Sequence, residues 1–92
     1  MYRVAVFYEQ EPDAEAYAEH AELCAQVPNG VFRHGKVTGA PMGEPKHAYY
    51  ASYDWPDMDA FKAGARSPEF AATGKDAMDM GVRFSVEFAN LS

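Results

Sequence analysis

The sequence predicts an α+β domain with the element order β-α-β-β-α-β, and three observations carry that prediction. Four short stretches alternate apolar and polar residues at the two-residue period of a strand. Between them, helical stretches open on a capping residue and repeat apolar side chains every three or four positions. Turn signatures rich in Pro, Asn and Gly separate the elements. This order is the ferredoxin-like arrangement, in which a four-stranded antiparallel sheet carries its helices on one face and leaves the other bare.

Taken in order, Tyr2 to Tyr8 sets Val4, Val6 and Tyr8 against Arg3, Ala5 and Phe7, the pattern of a first strand. Asp13 is placed to cap a helix whose apolar stripe holds Tyr17, Ala21, Cys24 and Ala25, with His20 predicted at the edge of that stripe. Pro28-Asn29-Gly30 must end this helix. Phe32 to Thr38 follows as a strand with His34, Lys36 and Thr38 on one face, and the loop GAPMGEP joins it to an aromatic strand from Lys46 to Asp54. There Tyr49, Ala51 and Tyr53 share one face and Ala48, Tyr50 and Ser52 the other.

Asp57 caps a helix from Met58 towards Arg66 with a predicted stripe of Met58, Phe61 and Ala65. Ser67-Pro68-Glu69 is a second helix start, since Ser suits the cap, Pro the first helical position and Glu the positive end of the dipole. Its stripe is Phe70, Thr73, Gly74, Ala77 and Met80, and Gly81 suits the left-handed residue that closes a helix. Val82 to Phe88 then alternates without a break, with an apolar face to bury and Arg83, Ser85 and Glu87 opposite.

Ninety-two residues make one domain, residues 1-92, with no repeat or linker to divide it. A net charge of −6, from 14 acidic and 8 basic residues, excludes the concentrated basic surface that nucleic acid or an acidic membrane requires. The apolar runs are strand-sized, and the opening MYRVAVFYEQ lacks a long apolar leader, so a cytoplasmic protein is expected. The single Cys24 has no internal disulfide partner and is read as a packed thiol.

His20, His34 and His47 are widely spaced and form no metal-ligand pattern, no phosphate-cradling glycine motif occurs, and Ser52, Ser67 and Ser85 lack the setting of a nucleophile. What remains is acid–base chemistry. A histidine beside phenols can move a proton near neutral pH, with His20 as the proton-transfer residue and Tyr49 and Tyr53 as hydrogen-bond donors to a substrate oxygen. A pocket between sheet and helices would be walled by Tyr17, Trp55, Phe61 and Phe84. The plain alternative is that these aromatics only fill a core and that His20 is a half-exposed helix residue.

The stretches HAELCAQVPNG, YYASYDW and, above all, DMDAFKAGARSPEF resemble the EthD family, named for a small protein of ether degradation, and the resemblance runs over nearly the whole chain. It implies a dimeric α/β barrel and a homodimer without metal or organic cofactor. Members are mostly of undefined activity, and relatives in the wider group include polyketide cyclases, lactone isomerases and cofactor-independent monooxygenases. The dimer face is expected to carry His34, Lys36, Tyr50, Ser52, Arg83, Ser85 and Glu87. The expected function is action on, or binding of, a small hydrophobic or aromatic compound in catabolism or secondary metabolism. Cofactor-free chemistry of the cyclase, isomerase or decarboxylase type would carry it. A non-catalytic carrier, a structural dimer module and a cofactor-independent monooxygenase are the alternatives.

Overall fold

The computed structural model describes all residues, Met1–Ser92. Its elements are β1 (Tyr2–Tyr8), α1 (Ala14–Cys24), β2 (Val31–Lys36), β3 (Tyr49–Trp55), α2 (Met58–Ala65), α3 (Pro68–Asp79) and β4 (Phe84–Asn90). The strands form one antiparallel sheet in the order β2-β3-β1-β4. This is the α+β ferredoxin-like topology, with the second helical segment bent into two pieces. Each helix starts where its cap predicts. Asp13, Asp57 and Ser67 accept hydrogen bonds from the amides of Ala16, Ala60 and Phe70, and the Ser67 hydroxyl also donates to the Gly64 carbonyl, tying α2 to α3 at their bend.

Register assigns every strand residue to a face, because side chains alternate along each strand and rows run straight across the ladders. Phe32, Tyr53, Val4 and Phe88 form one row, and His34, Ala51, Val6 and Val86 another. Both rows lie on the helix side. Arg33, Ser52, Ala5 and Glu87, and then Gly35, Tyr50, Phe7 and Ser85, lie on the bare side. Tyr50, Ser52, Ser85 and Glu87 therefore fall on the face expected of them, with Arg83 just beyond the end of β4. His34 and Lys36 do not. The strand begins at Val31 and its alternation puts both on the helix side, where His34 Nδ1 hydrogen-bonds Tyr49 Oη at 2.7 Å and Lys36 pairs with Glu11 at 3.2 Å. The bare face instead carries a charge cluster that periodicity did not reveal, in which Asp54 takes both a forked pair of bonds from Arg3, at 2.7 and 2.9 Å, and one from Arg33.

The core forms around Trp55, which is 0% exposed and donates its indole N–H to the Pro28 carbonyl at 3.0 Å. Tyr53 stacks on it and Phe61 meets it edge-on. Two glycines make room for it. A β-carbon at Gly64 would stand 2.6 Å from the indole nitrogen, and one at Gly30 would stand 3.1 Å from its ring carbons. The α2 stripe is accordingly Ala60, Phe61 and Gly64, not Met58, which is 41% exposed. In the turn it is Asn29 that takes positive φ, 60°, and Gly30 is there for space against the tryptophan.

Candidate functional site

α1 and α3 pack against each other, and Val4, Tyr8, Ala51 and Tyr53 of β1 and β3 are buried on the helix side, while the outer part of β4 is left uncovered. Val86 and Phe88 are consequently 45% and 61% exposed on the helix side, where the alternation of β4 led us to expect burial. Between α3 and this uncovered edge lies a cavity of about 170 Å³. Val4, Val6, Phe32, Ala51 and Phe84 make its floor, Phe70 and Ala77 its roof, and Gly74, Val86 and Phe88 surround its mouth. Its wall towards α1 is formed by His20 and Cys24.

His20 is an interior residue, not a half-exposed one. It is buried, 4% exposed, because α3 lies over the edge of the α1 stripe and turns that edge into an interior position. Its Nδ1 is 2.8 Å from Asp76 Oδ2 on α3, and its Nε2 is 3.4 Å from Cys24 Sγ one turn along α1. A carboxylate oxygen accepts and does not donate, so this partner assigns the proton to Nδ1 and leaves the Nε2 lone pair turned towards the thiol and the cavity. Burial pushes the Cys24 thiol up to about 11, which keeps it a protonated, weak donor to Nε2. The arrangement is a base with a fixed tautomer at an apolar wall.

Tyr53 lines the cavity through its ring. Its hydroxyl is buried beside Cys24 with no hydrogen-bond partner, and burial raises the phenol well above its ordinary value, so it remains a donor. The other polar wall groups are committed or shielded. Thr73 Oγ1 donates to the Phe70 carbonyl at 2.6 Å, and the Tyr8 phenol, pushed up to about 12 by burial, packs edge-on against Tyr17.

Of the residues singled out from the sequence, the cavity brings together His20, Tyr53 and Phe84. Tyr49 is not among them. It points to the same sheet face as Tyr53 but two rows away, where it bonds His34 and packs on Tyr17 beside a separate, more polar hollow with Glu11 and Lys36. Tyr17 lines that hollow as well, and its buried hydroxyl also has no partner. Trp55 is core, and Phe61 is spent on Tyr2, Trp55 and Phe88. The residue that sequence reasoning missed is Asp76. It stands 56 positions from His20 and off the apolar stripe of α3, so only the packing of two helices announces it. No three His, Cys, Asp or Glu side chains converge in an arrangement that would hold a metal ion, and no helix is long and apolar enough to cross a membrane.

Solved structures share this architecture. An EthD (ethyl tert-butyl ether) family protein from Bacillus halodurans superposes with a TM-score of 0.80 at 26% identity, over 100% of this chain and 99% of that one. The chain is EthD-like. A dimeric ferredoxin-like protein of unknown function from Jannaschia sp. matches with a TM-score of 0.70 at 20% identity, covering 98% of both chains. SnoaB, a cofactor-independent oxygenase from Streptomyces nogalater, matches with a TM-score of 0.62 at 22% identity, over 98% of this chain and 90% of that one. The last two likenesses show the fold alone and carry no reaction across. No family model and no curated relative matches the EthD-like chain.

Proposed function

We propose that this chain binds a small, largely apolar organic compound in the cavity under α3 and moves a proton between that compound and His20 Nε2. The chemistry would be of the cyclase, isomerase or decarboxylase type. The observation that carries this reading is the Asp76–His20 pair set into an otherwise apolar wall. A carboxylate that holds a histidine in one tautomer is the usual way to make its far nitrogen a base, and it also stabilises the imidazolium formed when that nitrogen takes a proton. No step in this scheme calls for a cofactor.

The test is hydrogen exchange. Small enolisable aryl ketones incubated with the protein in deuterated water should exchange their acidic C–H, read by NMR, faster than in buffer. Asp76→Asn should slow that exchange about 10²–10⁴-fold while the fold is kept, because Asn can donate to Nδ1 and so reverse the tautomer. Asp76 is suited to this test because its side chain is 36% exposed, whereas replacing buried His20 with Ala would also open a hole in the packing. Saturable binding without exchange would leave a carrier. Neither binding nor exchange would leave a structural module.

We also propose that the chain forms a homodimer through the bare sheet face. Phe7 and Tyr50 pack edge to face there, alongside the Arg3–Asp54–Arg33 cluster, and a 92-residue chain gains from covering such a surface. Sedimentation equilibrium at micromolar concentration should return twice the 10.2 kDa chain mass. A single-chain mass would remove the dimer.

A further inference from the structure

Resting on the homodimer read from the bare sheet face, the geometry points to one arrangement of its two copies: a two-fold axis running along the strands, which sets Arg33 of each copy against Glu87 of the other. The order β2-β3-β1-β4 puts β2 and β4 at opposite edges, and the ladders align Arg33, Ser52, Ala5 and Glu87 in one row across the bare face. Arg33 and Glu87 therefore stand at the two ends of that row. Three strand spacings separate them, about 14 Å, too far for a bond within one chain.

Both are free to meet a partner. The Arg33 side chain is 67% exposed and spends one N–H on Asp54 at 3.3 Å, which leaves the rest of its guanidinium to donate elsewhere. Glu87 is exposed and pairs with no cation of its own chain. The chain as a whole carries −6, yet on the strands of this face Arg3 and Arg33 balance Asp54 and Glu87. Two copies can thus meet here without net repulsion.

Symmetry decides how they meet. Two aligned sheets packed face to face are related by a two-fold axis that runs either along their strands or across them. An axis along the strands, between β3 and β1, exchanges the edges and keeps the rows. Arg33 then faces the partner's Glu87, Asp54 faces the partner's Arg3, and Tyr50 faces the partner's Phe7, so three successive rows each complement themselves. An axis across the strands through the Arg33 row keeps the edges and sets Arg33 on Arg33 and Glu87 on Glu87. Like charges opposed across an interface are strongly disfavoured. Packed sheets stand about 10 Å apart, a gap that an Arg and a Glu side chain span between them.

The test is sedimentation equilibrium over a concentration series on the parent, on Glu87→Arg and on Arg33→Glu. Each variant opposes like charges at both symmetry-related sites, and each should weaken the dimer about 10- to 100-fold. Far-UV circular dichroism should stay that of the parent, because both side chains are exposed. An equimolar mixture of the two variants should recover close to the parent's affinity, since a mixed dimer brings an Arg against a Glu at both sites. Glu87→Arg carries the test alone if loss of the Asp54 bond unfolds Arg33→Glu.

A folded variant that dimerises as tightly as the parent overturns the arrangement and leaves the dimer standing, and is the result that an axis across the strands requires. A mixture no tighter than its components also overturns it, and points to sheets crossed at right angles. A parent that sediments as a single chain removes this proposal together with the dimer reading beneath it.

Discussion

Replacing Gly64 with Ala tests the packing on which the whole helix layer depends. An added β-carbon would lie 2.6 Å from Trp55 Nε1 and 2.9 Å from two ring carbons, where ordinary contact begins at 3.4 Å, so the indole must withdraw by about 0.8 Å. It has nowhere to go. Gly30 closes the turn side, Tyr53 stacks on the ring and Phe61 meets its edge. Overpacking of this kind costs about 1–3 kcal/mol. Withdrawal also stretches the 3.0 Å bond to the Pro28 carbonyl, and leaving a buried N–H unpaired costs about 1–3 kcal/mol more. Against this, Ala in place of Gly inside a helix returns about 1 kcal/mol. The net loss is about 1–5 kcal/mol, which for a domain of this length lowers the thermal midpoint by about 4–40 °C. Trp55 is the only tryptophan, so its emission during urea unfolding reports on the altered site and on global unfolding at once. Gly74→Ala is the control, since nothing lies within 4 Å of its added carbon and it should stabilise by about 1 kcal/mol. If Gly64→Ala unfolds at the same urea concentration as the parent, the clamp on Trp55 is not a structural constraint and the argument fails.

Two pH dependences follow from buried groups. Burial raises Tyr8, Tyr17, Tyr53 and Cys24, so the fold keeps protons that the unfolded chain releases near pH 9 to 10, and stability falls as pH rises through that range. The loss continues with rising pH until the buried groups themselves ionise. Phenolate absorbance of the buried tyrosines should thus appear in step with loss of far-UV circular dichroism, and phenolate formation without unfolding would contradict their burial. At the acid end, hydrogen bonding from Arg3 holds the Asp54 carboxyl below its usual 3.8, so its contribution is complete above that value and is lost as pH falls through the lower folded value. Asp54→Asn should cost about 1–3 kcal/mol at neutral pH and flatten the stability profile below pH 4. An unchanged acid limb in urea titrations would show the cluster to be energetically idle.

Local signals determined the elements of this chain, because caps, turns and side-chain alternation act within a few residues of one another. Asp13, Asp57 and Ser67 begin helices where their side chains can reach the free amides, Gly81 takes the positive φ of 76° that closes α3, and the two-residue period of β3 places Tyr49, Ala51 and Tyr53 together. Element order then leaves few topologies open, which is why the ferredoxin-like sheet was legible. Tertiary structure alone decided which helix edges are covered and where a gap remains. His20 became interior only when α3 crossed α1 and brought Asp76 to its ring, a pairing over 56 residues that no periodicity encodes. Tyr49 and Tyr53 share a face yet serve different hollows, because the helices divide that face between them. The reason Gly30 and Gly64 are glycines also lies outside their own segments, in the volume of Trp55, and the cavity exists because two helices are too narrow to cover four strands.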